Sequence, residues 1–300
     1  MTAMAPAVGS AEAIRRFNSH DGKTARRRRL VTRIVTHACI WVGVLLSLFP
    51  FYWLFAMSTQ TTAQIFGFPV DFFPSNQLWI NIRGVLSNID LLGALRNSFI
   101  VSGSLALLVM FFDSLAAFTF AKFEFPGKTV LFRILLVTFL VPGSLSLVPS
   151  FVLMSRLGWV GGLQALIIPG AANAFGIFLL RQFCETSLPN ELIESARVDG
   201  AGFFRTYWSI GLPMLRGGVA FLGIFTFIGS WNDYVWPLVI LVNPNVQTLQ
   251  PALAQLNTMY STNYGWVMAG ALISVLPLIA IFIIGSRHFI ANIAAGAVKG

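Results

Sequence analysis

The 300-residue chain is 56% hydrophobic and 10% charged with a net charge of +9, and its mean hydropathy is +0.75. Soluble domains are about 25% charged, so this chain lacks the polar side chains to cover a water-facing surface, and lipid is the solvent that tolerates it. The basic excess does not point to nucleic acid: eight of the 20 Lys and Arg precede position 34, among them Arg26, Arg27, Arg28 and Arg29, and the others fall between apolar stretches, as topology signals do.

In chain order, residues 1–33 are predicted to be a basic cytoplasmic tail. The apolar run that follows continues to about Met57 without a small-residue cleavage pattern, which reads as a retained first span rather than a signal peptide. About 20 apolar residues cross a bilayer core. On that measure the spans are Ile34–Met57, Asn97–Phe120, Val130–Met154, Leu163–Leu180, Leu215–Ile240 and Trp266–Gly285. The expected class is therefore an all-α, polytopic membrane protein with a six-helix domain over 34–285 and a short tail over 286–300.

Segments 1–33, 121–133, 181–216 and 286–300 hold 17 Lys and Arg, and the opposite side holds three, Arg83, Arg96 and Arg156. That split predicts both termini in the cytoplasm. Pro142 and Pro149, Pro169, Pro237 and Pro277 fall inside the last four predicted spans, and each removes a helix hydrogen bond and favours a kink. Cys39 and Cys184 have neither metal-ligand spacing nor a disulfide framework.

The loop between the fourth and fifth spans is unlike a simple turn. It reads LPNELIESARVDGAGFFRTYWSIGLP from Leu188 to Pro213. Pro189 suits a helix start, and Glu191 and Glu194 near that end favour the dipole. Leu192, Ser195, Ala196 and Asp199 fit one short helix, which Gly200 and Gly202 stop. A docking lever for a cytoplasmic partner and a helix lying on the membrane surface are the two readings of such a loop.

These residues resemble the inner-membrane permease subunits of ATP-binding-cassette importers, in particular the second permease of the maltose-type carbohydrate systems. The family's loop signature is matched by Glu194-Ser195-Ala196, Gly200 and Ile210-Gly211-Leu212-Pro213, with Ser195 where Ala is usual. Leu188-Pro189 with Glu191-Leu192, Asp199-Gly200-Ala201, the run from Ser230 to Tyr234 followed by Trp236-Pro237-Leu238, the stretch Tyr264–Gly270 and the ending Ala294–Gly300 extend the similarity.

The resemblance implies a type I importer permease fold and a cytoplasmic coupling loop over 184–213. In that loop Glu191, Glu194, Ser195, Ala196, Asp199, Gly200, Ile210, Leu212 and Pro213 serve ATPase coupling. It also implies a non-catalytic sugar-importer subunit in a bacterial inner membrane. The expected partners are a second homologous permease, two cytoplasmic ATP-binding subunits and an extracytoplasmic sugar-binding protein. This chain is expected to bind no cofactor, with ATP and Mg on the ATPase subunits. The chain has no Gly-rich phosphate loop with its Lys and Ser/Thr.

Embedded carboxylates usually face protein or a polar cavity. Trp231, Asn232, Asp233, Tyr234 and Trp236 form a candidate sugar-handling set, with Asn173 a further candidate for the pathway; packing at a helix end is the other reading of Asp233. For Asp113 a gate, a proton site and an interhelix hydrogen bond are all open, and the role of small polar groups in membrane packing favours the last. Asp113 and Asp233 are also the support for the alternative, a self-sufficient secondary transporter or channel for a small polar solute.

Overall fold

The computed structural model describes residues 9–243, 245–257 and 262–297, with side chains described over 30–243, 245–257 and 262–285. The side chains of Arg26–Arg29 and of the ending 294–300 lie outside them. The elements in chain order are α1 (Gly9–Ser58), α2 (Thr62–Ile65), α3 (Leu78–Asn88), α4 (Leu91–Lys122), α5 (Lys128–Leu140), α6 (Leu147–Arg156), α7 (Gln164–Ile167) and α8 (Ala174–Ser187). They continue with α9 (Asn190–Val198), α10 (Phe203–Thr206), α11 (Leu212–Trp231), α12 (Val235–Ile240), α13 (Leu249–Ala254) and α14 (Tyr264–Ala297). The described residues are helical or irregular, without a strand. The chain divides into two units, 1–56 and 57–300.

The first unit is the α1 helix, whose stretch Leu30–Ser58 is long and apolar enough to span a bilayer. Leu30, Ile34, Trp41, Leu45 and Leu46 are exposed along it, which is unfavourable in water and neutral in lipid. In the second unit, α4 runs along α11 and α8, and α14 runs along α11 and α3. One core cluster joins Phe118, Leu180, Leu188, Ile193, Tyr207, Leu215 and Leu222. A second gathers Val85, Trp231, Leu249, Ala252 and Ala269, and a third Val101, Met154, Ala165, Leu166, Ile240 and Leu241.

Four helical stretches are long and apolar enough to cross a membrane: Leu30–Ser58, Leu91–Lys122, Phe203–Trp231 and Tyr264–Gly285. They contain the expected first, second and sixth spans and most of the fifth. The expected third span is a bent pair, Lys128–Leu140 with Gly143–Arg156, whose arms meet at 93°. Counting that pair as one span gives five, so the count of six is not reached among the described residues.

The interruptions have local causes. Pro142 has no N–H and its ring conflicts with the helical carbonyl four residues back. It also forces the preceding residue out of the helical region, and Val141 is extended at φ −75°, ψ 120°. After a 3₁₀ turn over Gly143–Ser146 the helix restarts as α6, which accepts Pro149 in its first turn. The expected fourth span, Leu163–Leu180, stops at α7 before Pro169-Gly170 and restarts only at α8. The expected fifth, Leu215–Ile240, ends at Trp231 and is separated from α12 by Asn232–Tyr234.

Candidate functional site

The loop residues fold into a two-sided platform. Leu188 and Pro189 turn the chain out of α8, and α9 then presents Ile193 and Ala196 inward, both buried. Glu191, Glu194, Ser195 and Asp199 lie on its exposed side, joined by Val198, which is 88% exposed. The helix is tied at its start by Lys122 Nζ donating to Asn190 Oδ1 at 2.8 Å, and near its end Arg197 stands 5.2 Å from the Phe123 ring centroid.

Gly200 ends α9 for a definite reason. Its φ is +74°, a region that costs other L-residues about 1–2 kcal/mol. The Ala201 N–H donates to Ala196 O at 2.8 Å and the Gly200 N–H to Arg197 O at 3.0 Å, the paired bonds of a Schellman ending. Ile210 and Leu212, by contrast, pack against the Phe118–Tyr207 core. Just before Pro213 the helix widens into a π-turn over Tyr207–Gly211, which accommodates a residue that cannot donate. The two parts of the loop signature therefore differ: the first is an exposed face, the second its anchorage. A cleft of about 190 Å³ lined by Ser195, Asp199, Arg205, Ser209 and Ile210 joins them.

A second constellation lies at the helix interruptions. A cavity of about 620 Å³ is lined by Ser144, Ser146, Ser150, Pro169, Asp233 and Trp236, among others. A neighbouring one of about 310 Å³ is lined by Ser98, Ser230, Thr248, Asp233 and Trp236. Leu105, Leu166, Asp233 and Trp236 border both. Irregular backbone at membrane depth is stable where it is buried in protein or lines a cavity, and the breaks at 142–146 and 169–170 do the latter.

The candidate set from the fifth span is thus divided. Asp233 and Trp236 border the cavities; Asp233 Oδ1 accepts from the Trp236 N–H at 3.4 Å, and the Trp236 indole N–H donates to Ala165 O at 3.2 Å. Trp231 is 1% exposed, donates to Ser274 O at 3.0 Å and meets Phe99 edge-on at 4.7 Å, so it is core. Asn232 donates to Ile228 O at 2.9 Å and Tyr234 is exposed; neither borders the cavities. Asn173 caps α8, accepting from the Gly176 N–H at 2.7 Å.

Asp113 belongs to that cap. Its Oδ1 accepts from the Asn173 N–H at 3.0 Å, and its other oxygen is buried without a hydrogen-bond partner among the described residues. The carboxyl group therefore fastens α4 to the restart of the broken span, an interhelix hydrogen bond of the kind expected from sequence. Ser144, Ser146, Ser150 and Thr248 were not singled out by sequence reasoning. For the three serines the signal is a Pro-Gly break followed by closely spaced serines inside an apolar stretch.

Residues 113–294 match the family described as binding-protein-dependent transport system inner membrane component. The chain belongs to that family. It is 32% identical over 268 residues to the sn-glycerol-3-phosphate transport system permease protein UgpE of Yersinia enterocolitica, covering 86% of this chain and 94% of the relative. It is also 32% identical to the lactose transport system permease protein LacG of Rhizobium radiobacter, covering 92% and 99%. A solved bacterial ABC transporter that imports the acidic polysaccharide alginate shares the fold with TM-score 0.73 at 23% identity, over 86% of this chain and 96% of that one. A further alginate transporter structure, in complex with a pentasaccharide-bound periplasmic protein, gives TM-score 0.58 at 16% identity. The protein is thus a non-catalytic transmembrane permease of an ABC importer, and the self-sufficient transporter reading falls away.

Proposed function

We propose that this permease forms one half of the translocation path of a saccharide or polyol importer and couples that path to a cytoplasmic ATPase through α9. The observation that carries the coupling is the two-faced helix: Ile193 and Ala196 are locked in the core while Glu191 and Glu194 stand outside it. A force applied to the exposed face is transmitted to α4 and α11, because Phe118, Tyr207 and Leu215 share that core. Glu191, Glu194, Ser195, Asp199 and Gly200 make or shape the docking face, with Ala196, Ile210 and Leu212 as its anchors and Pro213 next to the widened turn. ATP and Mg belong to the ATPase subunits in this reading.

The remaining partners in this reading are a second homologous permease, two ATP-binding subunits and an extracytoplasmic sugar-binding protein, the last supported by the binding-protein-dependent family description. The 17-to-three division of Lys and Arg supports cytoplasmic termini, with the loop on the same side. The cargoes named for the relatives and the solved structure are a phosphorylated triol, a neutral disaccharide and an acidic polysaccharide. They support a hydroxyl-rich solute.

The test is Glu194→Lys, a change on an exposed face that leaves folding within about 0.5 kcal/mol. The permease is purified through a tag in mild detergent, and the ATPase recovered with it is quantified. The expected result is recovery of a second permease with both forms and at least a tenfold loss of ATPase with the variant. Undiminished ATPase recovery and ATP hydrolysis with Glu194→Lys would refute the docking role.

A further inference from the structure

The relatives handle both charged and uncharged cargo, so family membership does not fix the charge class of the solute. The lining of the two cavities speaks to it directly. Among the described residues bordering either one, Asp233 is the single ionisable side chain, and none is Lys or Arg. A site for a phosphate or carboxylate is best served by a cation or a cluster of aimed N–H groups; here an anion meets a carboxyl group that borders both cavities.

The other groups suit hydroxyls. Ser144, Ser146 and Ser150 line the larger cavity, and no described residue hydrogen-bonds to their side chains. Each offers one donor and two acceptor positions. Thr248 borders the smaller cavity, and its buried Oγ1 has no partner among the described residues. A buried polar atom left in that condition costs about 1–3 kcal/mol unless water or a solute meets it. Trp236 has its indole N–H engaged by Ala165, so what it offers a solute is its ring, an apolar surface with a negative face. A volume of about 620 Å³ lies in the range of small-ligand sites, about 300–1,000 Å³.

We propose that the two neighbouring cavities bordered by Asp233 and Trp236 are a solute subsite that accepts uncharged sugars or polyols and disfavours anionic ones. Ser144, Ser146, Ser150 and Thr248 supply hydroxyl contacts, Trp236 an apolar face and Asp233 a hydroxyl acceptor that repels negative charge. The proposal rests on the importer reading above and narrows its substrate class.

The test measures the charge preference of the cavity without needing the natural solute. In a background with Cys39→Ser and Cys184→Ala, Ser146→Cys is introduced and the whole importer purified; Ser144→Cys serves as a second reporter. Modification rates are measured with a cationic trimethylammonium-ethyl and an anionic sulfonatoethyl methanethiosulfonate, each normalised to its rate with free 2-mercaptoethanol. A carboxylate bordering the same cavity, partly screened, favours the cation roughly tenfold, and Asp233→Asn returns the ratio to that of the free thiol. A ratio equal to the free thiol, a preference for the anion, or a preference untouched by Asp233→Asn would overturn the proposal. So would failure of both reagents at both positions in a complex that hydrolyses ATP, because solute could not then enter. Absence of any ATPase from the preparation would count instead against the importer reading, which keeps the two failures distinct.

Discussion

Gly176→Ala tests whether the Asp113 carboxyl group holds the broken span to α4. Gly176 is in the first turn of α8, and a Cβ there would lie 2.0 Å from Asp113 Oδ2 and 2.9 Å from Leu222 Cδ2. Real Cβ contacts essentially never fall under 3.0 Å, so the carboxyl must retreat by at least 1.0 Å (3.0 minus 2.0). It is a short, fully buried side chain already engaged by the Asn173 N–H at 3.0 Å. Displacement therefore costs the hydrogen bond, about 1–3 kcal/mol, and adds overpacking strain of similar size. The gain in helix propensity offsets less than about 1 kcal/mol. The expected net loss is about 3 kcal/mol, read by equilibrium unfolding in mixed micelles with far-UV circular dichroism. In an Asp113→Ala background only the flexible end of Leu222, at 2.9 Å, has to give way, and Gly176→Ala should then cost less than about 1 kcal/mol. Equal costs in both backgrounds, or no cost in the first, would refute the Asp113 anchor.

Gly200 has room for a methyl group, with no atom within 4 Å of where its Cβ would stand, so its requirement is conformational. Gly200→Asn should therefore retain most ATPase recovery and Gly200→Val should lose it, whereas equal behaviour would show that backbone conformation is not what the loop needs. Trp231→Ala should lower stability by about 3–5 kcal/mol, as expected for a buried aromatic, measured by the same unfolding assay. It should leave the charge preference of the Ser146→Cys reporter unchanged, and a collapse of that preference would place Trp231 on the cavity after all.

The uninterrupted spans were legible because composition alone decides them: Leu30–Ser58, Leu91–Lys122 and Tyr264–Gly285 each begin and end within several residues of expectation. The third and fourth were not, because an average over 20 residues does not register what Pro142-Gly143 or Pro169-Gly170 does to direction. The prolines themselves are visible in the sequence and predict kinks, but the size of the turn, 93° at the Pro142 break, is not written in residue type. The loop signature was legible for a different reason. Its first part, Glu194-Ser195-Ala196, is close in sequence on α9, so spacing there translates into an exposed side and a buried one, whereas Ile210–Pro213 lies on a separate helical stretch. Trp231 and Trp236 show the opposite case: five positions apart, they flank a helix end, and one turns into the core while the other borders a cavity. Sequence adjacency carries no information about that change of direction.

The widened turn at Tyr207–Gly211 also acts as a phase corrector. Phe203, Tyr207 and Leu215 recur at multiples of four residues and all join or border the cluster around Phe118. In an unbroken α-helix each four-residue step drifts by about 40°, so a stripe of this period would wind away from its neighbour over three steps. One extra residue in the turn cancels most of that drift, keeping the loop and the upper span aimed at the same helix. Removing a single residue there would leave both sides helical yet swing the docking face by about 100°, so the bearing of the platform is set by a count of residues and not by any one contact.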